Sequence, residues 1–278
     1  MIRLLYPKSS SILLPLIALS WGLSWGYGLS QSFEEKRQNP LPKTETPAFK
    51  RGEKLTYRMH YGWMDAGIVE LKLTEEALDF GGGKTFHAIG TGVTKGMVDV
   101  FFKVNDRYES YFEEGATAPR LFLRRVNEGG YIIRQDYTFN PSKNKVDCGS
   151  NKVMDLPGIC QDMVSAFYCA RNLNFDKAQP NDVFTIPSFV DGEVFYVKMR
   201  FIGRETFKSE VGKVKCLRFH PILQKGRIFK HEEDLNVWIS DDVNHIPVSA
   251  QAKILVGSVK MDLTQYSGLV APLASDRN

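Results

Sequence analysis

Residues 49–73 read FKRGEKLTYRMHYGWMDAGIVELKL, and the spacing of their apolar side chains decides the fold. Leu55, Tyr57, Met59, Tyr61 and Trp63 share one parity, while Thr56, Arg58 and His60 take the other. Beyond a corner at Asp65-Ala66-Gly67, Val69, Leu71 and Leu73 face one way and Glu70, Lys72 and Thr74 the other. A period of two over this length is the pattern of half-buried antiparallel strands. The tight corner predicts a hairpin.

The same alternation continues downstream. It predicts strands over 84–93, 101–112, 119–126, 131–140, 183–190, 194–203, 214–221, 235–240, 248–256 and 258–266, with 94–98 left as a bend or a short helical turn. Gly81-Gly82-Gly83, Asn127-Glu128-Gly129-Gly130 and Asp191-Gly192 supply turns. The pattern changes once. Over about 159–173, Cys160, Met163, Val164, Phe167, Tyr168 and Arg171 recur at spacings of three and four, which is one helical face. The fold class that follows is mainly β: one large, strongly curved antiparallel sheet or open β-barrel with a single principal helix.

Outward from that domain, residues 1–30 read as a signal peptide, with Arg3 and Lys8 before a charge-free run from Ser9 to Phe33. An uncleaved anchor is the alternative, because the run is long enough to cross a bilayer. Residues 31–48, with Pro40, Pro42 and Pro47, read as a flexible tether, 49–268 as a single β-domain, and 269–278 as a frayed tail. The protein is thus expected to be exported, either periplasmic or anchored to the inner membrane facing the periplasm. Membrane contact is expected only through an uncleaved N-terminus.

The formal charge of +4 falls to +2 once the leader's two bases are set aside, leaving 34 bases against 32 acids. So small an excess excludes nucleic-acid binding driven by bulk charge. Four cysteines, Cys148, Cys160, Cys169 and Cys216, allow three complete disulfide pairings in an exported chain, or four buried thiols. None has zinc-site spacing. His231-Glu232-Glu233-Asp234 alternates across a strand and reads as a solvated edge, and Asp241 to His245 reads as a polar turn. With no activated nucleophile, metal set or phosphate loop, the sequence predicts no enzyme and no cofactor.

Several stretches together resemble the bacterial domain of unknown function 3108. They are Phe49, Gly52, Glu53, Leu55, Tyr57, Tyr61 and Gly62 with Ala66-Gly67; Phe102 to Asp106 with Tyr108-Glu109-Ser110; Gln161-Asp162 with Ser165 to Tyr168 and Arg171; and Trp238 to Asp242 with Ile246-Pro247-Val248. The resemblance runs through about 49–266 and implies an exported, mostly β envelope protein, with no activity to carry over.

Two readings of function follow. A concave face lined by Tyr57, Met59, Tyr61 and Trp63 would hold a hydrophobic ligand, a lipid or a lipoprotein segment. Alternatively the same side chains fill a solid core, and the protein is a structural or assembly factor with an envelope protein as partner. Asp106, on an apolar parity, and Arg171, at the end of the helix's apolar face, are candidates for an internal ion pair. Capping of the helix C-terminus by Arg171 is the other reading.

Overall fold

The computed structural model describes residues 46–81, 83–222, 234–253 and 257–276. The predicted signal segment, most of the tether, and His231, Glu232 and Glu233 lie outside these. The opening half of the sheet comprises β1 (Lys54–Tyr61), β2 (Met64–Leu73), β3 (Thr85–Thr94), β4 (Asn105–Glu113), β5 (Pro119–Glu128), β6 (Tyr131–Asn140), β7 (Lys145–Asp147) and β8 (Val153–Asp155). A six-residue helix, α1 (Gly96–Phe101), interrupts it, and α2 (Met163–Arg171) follows it. The closing half comprises β9 (Val183–Val190), β10 (Glu193–Ser209), β11 (Gly212–Pro221), β12 (Leu235–Ser240), β13 (Pro247–Lys253), β14 (Ser258–Ser267) and the two-residue β15 (Ser275–Asp276).

Fourteen of these strands form one antiparallel sheet in the order β8-β7-β6-β5-β4-β3-β2-β1-β14-β13-β12-β11-β10-β9, and β15 pairs with β11. Nearly every neighbour is also a sequence neighbour, so the ladder is a run of hairpins joined by one long-range pairing, β1 with β14. The sheet does not close into a barrel. Its two edges are bridged instead by the segment before α2. The Gln161 N–H donates to the Pro187 carbonyl and the Phe189 N–H to the Gln161 carbonyl, both at 2.8 Å, a parallel bridge onto β9.

Helix α2 lies inside the curve, against β3, β4 and β9, and all nine of its residues are buried. Asp162 caps it, accepting the N–H groups of Val164 and Ser165 at 2.7 and 2.8 Å. Asp162 also takes the Ser110 hydroxyl of β4 at 2.6 Å, which ties the helix N-terminus to the sheet. Aromatic rings fill the space between: Phe49 meets Tyr168 edge-on at 4.8 Å and Phe86 at 5.3 Å, and Phe112 stacks on Tyr168 at 5.3 Å. Close strand packing needs a glycine at Gly67, where a Cβ would lie 2.4 Å from the Val93 carbonyl oxygen of β3.

Several expectations change. The corner of the first hairpin is at Gly62-Trp63, and Asp65 to Gly67 lie within β2. The segment 94–101 contains α1, so strand β4 starts at Asn105 and not at Phe101. The principal helix is shorter than 159–173, because Cys160 and Gln161 run along β9 and Asp162 caps. The described part of the tail is docked: Leu273 is buried, and the Ala271 and Ala274 N–H groups donate to Asn244 and Asp242. All four cysteines are free. No helix among the described residues is long and apolar enough to cross a membrane.

Candidate functional site

The alternation of β1 sends Tyr57 and Met59 into the core, both 1% exposed or less. Tyr61 packs half-buried against its margin. Trp63 does not join them. A register shift between Met59 and His60 and a left-handed Gly62 (φ 58°) break the parity, and Trp63 stands 90% exposed at the turn. The predicted ligand-lining face is therefore packed core at two positions, margin at a third and open surface at the fourth. A gap of 10 Å³ between Phe139, Leu156 and Cys160 is room for about one water.

Asp106 and Arg171 are both inside, as their parity predicts, with 1% and 2% exposed. They are not paired, because they sit toward opposite ends of the sheet: Asp106 is five residues beyond the end of α1, and Arg171 ends α2 beside the start of β1. Arg171 holds Glu53 bidentately, Nη1 to Oε1 at 2.6 Å and Nη2 to Oε2 at 2.7 Å. Its remaining donors reach the Ala48 carbonyl at 2.9 Å and the Asn244 carbonyl at 3.0 Å. The guanidinium also lies within 5.6 Å of the ring centres of Phe49, Phe167 and Tyr168. Burial pushes the Tyr57 and Tyr168 phenols far above their ordinary range, and their hydroxyls have no hydrogen-bond partner.

Asp106 accepts the Asn127 N–H at 2.9 Å. Burial raises its carboxyl, against the lowering influence of that bond, Glu128 and Arg124. Arg124 in turn reaches Asp191, in the β9–β10 turn, at 3.0 Å. Burial likewise pushes the Cys160 thiol up to about 11 and those of Cys169 and Cys216 to about 12. Thiols so far above neutral pH are protonated and poor nucleophiles.

On the outer face, His60, Glu210 and Asp262 offer ligand atoms within 4.8 Å of one another, a grouping their scatter in sequence hides. Each is already engaged: His60 Nδ1 faces Asp65 at 3.0 Å, Glu210 binds Arg58, and Asp262 takes Lys260 at 2.8 Å and the Ser249 hydroxyl at 2.7 Å. Bound cations could hold there only by displacing these partners. The Asp241–His245 turn is also self-satisfied, since Asp242 Oδ1 accepts from the Ser240 hydroxyl and the Asn244 N–H, both at 2.9 Å.

The feature the strand pattern concealed is at the Trp63 end of the sheet. There the β1–β2 turn, α1 and the β5–β6 turn stand side by side: Lys95 N–H donates to the Ala66 carbonyl of β2, and Gly129 N–H to the Lys103 carbonyl. Beside Trp63 they present Met97 (69% exposed), Val100 (81%), Phe101 (82%), Tyr131 and Ile132. Helix α1 fully buries no residue: Val98 packs half-buried against the core, while Met97, Val100 and Phe101 point outward. The opposite end carries an open 420 Å³ depression lined by Ala48, Asn172, Phe175 and His245, where the tether meets the domain.

Among curated proteins none matches this sequence. Among solved structures, the chain is similar to a β-barrel-like protein of the domain of unknown function DUF1849 from Brucella abortus. The two are 11% identical with a TM-score of 0.51, covering 79% of this chain and 98% of that one. Fainter likenesses are to a DUF1089 family protein from Pseudomonas aeruginosa (9% identity, 74% and 92% coverage, TM-score 0.37) and to the lipoprotein LppX from Mycobacterium tuberculosis (14%, 80% and 89%, 0.17). The motifs of β4, α2 and the β12–β13 region, and the first motif from Tyr57 onward but not its Phe49, Gly52, Glu53 and Leu55, fall within residues 56–264, which match the proteins of unknown function DUF3108, and the chain belongs to that family.

Proposed function

We propose that the protein works outside the cytoplasm, in the envelope, as a non-enzymatic factor that binds a hydrophobic partner, a lipid or a lipoprotein segment. The observation that carries this reading is the row of exposed apolar side chains at the Trp63 end, Trp63, Met97, Val100 and Phe101. Exposed apolar side chains are ordinarily scattered singly over a soluble protein, so several gathered at one end of the sheet mark a site of contact. Export is supported by the charge-free run from Ser9 to Phe33 behind two bases. Absence of catalysis is supported by the raised thiols and the fully engaged His60 cluster. Carriage of an acyl chain along the inward face of β1 is the weaker form of the idea, because Tyr57 and Met59 are packed into the core. Contact at the end of the sheet is the stronger form.

Cell fractionation followed by native mass spectrometry of the recovered protein tests the reading. The expected result is recovery with the envelope or periplasm, and an adduct of lipid mass or a co-purifying lipoprotein that Phe101→Ser diminishes. Recovery in the cytoplasm, or a partner unaffected by any change at the Trp63 end, overturns it.

A further inference from the structure

We propose that the Trp63 end of the sheet is a bilayer-docking surface, inserting Trp63 and Phe101 shallowly among the headgroups of an anionic membrane. The proposal rests on the envelope reading above and names the partner of that same surface. Its first support is shape. The apolar residues project from three adjacent tips, the β1–β2 turn, α1 and the β5–β6 turn, which span five strand spacings or about 24 Å. A stable protein interface instead wants a continuous complementary face of about 800 Å² per partner. Separate, protruding side chains suit a medium that deforms around them. The second support is residue type. Tryptophan and tyrosine, with an apolar body and one polar group, are favoured at the boundary between water and hydrocarbon, and here Trp63 and Tyr131 flank the wholly apolar Met97, Val100 and Phe101.

The third support is charge. Lys95 and Lys103 bracket α1, and both are exposed. The nearby carboxylates keep their charge but are turned to local bonds, Asp65 to His60 at 3.0 Å and Asp99 to the Thr94 hydroxyl at 2.6 Å, while among the described residues no acid pairs with Lys95 or Lys103. Two available cations beside an apolar tip are complementary to anionic headgroups, each strengthening attachment near the surface.

The test uses the exported protein and its Trp63→Phe variant, whose difference spectrum isolates Trp63 emission from the other tryptophans. The expected result is a blue shift of that difference spectrum on vesicles of phosphatidylethanolamine and phosphatidylglycerol. Phe101→Ser should weaken vesicle binding at least about tenfold, and Lys95→Gln with Lys103→Gln should abolish the preference over pure phosphatidylcholine. All four side chains are exposed, so these variants should keep the fold. An unmoved Trp63 spectrum, or a shift that depends on protein concentration and needs no vesicles, overturns docking; the latter assigns the surface to a second copy. An unmoved spectrum leaves the envelope reading standing, which fails on location or partner; the vesicle-independent shift takes the Trp63 end away from both.

Discussion

Removing Arg171 should expose how far the interior depends on one buried charge pair. Its guanidinium and the Glu53 carboxylate are 2% and 1% exposed, so neither can turn to water. In Arg171→Met the carboxylate stays behind without its two charge-assisted bonds, and the Ala48 and Asn244 carbonyls lose a donor. Stranding one member of a buried pair costs about 3–5 kcal/mol, a large part of the roughly 5–15 kcal/mol that holds an ordinary domain together. Glu53→Gln strands the cation instead, with a loss of similar size. The double variant Arg171→Met/Glu53→Gln removes both charges, so its loss should fall well short of the sum of the single losses, a coupling of several kcal/mol. Urea unfolding followed by circular dichroism reads this directly. With a slope of about 2–3 kcal/mol per molar, a loss of 4 kcal/mol moves the midpoint by roughly 1.5 M. A double variant as unstable as the two single losses added together would refute mutual compensation.

The Asp162 carboxyl is wholly buried, and burial pushes it up to about 6 despite the bonds from Ser110, Val164 and Ser165. Between its unfolded value near 4 and about 6 the folded protein holds a proton that the unfolded chain releases, so stability should fall by about 3 kcal/mol as pH rises through that window and then level off. Asp162→Asn, which keeps a good helix cap, should flatten that slope in unfolding midpoints measured from pH 4 to 7; an unchanged slope would assign the effect elsewhere. Gly67→Ala would drive a Cβ to 2.4 Å from the Val93 carbonyl oxygen, and a backbone neighbour cannot swing aside. A loss of 2 kcal/mol or more is expected, and a midpoint unchanged from wild type would show that β2 and β3 tolerate wider spacing.

The strands were legible because a half-buried strand writes its burial into sequence at every second position. The strands β9 and β12 agree with the pattern at both ends, and of the set Phe195, Val197, Met199 and Phe201 that parity points inward, the last three are buried and Phe195 is half-buried. The failures share a cause: parity cannot see events that break it. Trp63 was counted through a register shift and a left-handed glycine, which moved it from inner face to open tip. The strands β7 and β8 have three residues each, too few for a period to emerge. Helix α1 carries apolar residues both outside, at Met97, Val100 and Phe101, and inside, at Val98, so no polar face marks it as a surface helix. Arg171 stands on the apolar face of its helix, which left an internal ion pair and a C-terminal cap both open, and its partner Glu53 is 118 residues away, before the first strand begins. Nothing local connects them.

An unclosed sheet has two free edges, and free edges invite both flattening and pairing with other chains. Here β8 is too short to offer much of an edge, and β9 has the Gln161 segment hydrogen-bonded along it. Across the seam, Arg124 of β5 bonds Asp191 beyond β9, and Tyr137 of β6 meets Phe189 of β9 edge-on at 5.3 Å. Curvature is thus held from inside, by α2 capped onto β4 at one end and clamped through Arg171 to Glu53 at the other. A helix that performs that structural task occupies the space in which a carrier of this shape would hold cargo. On the proposed reading apolar recognition falls to the rim, where Trp63 and Phe101 stand 90% and 82% exposed at the end of the sheet.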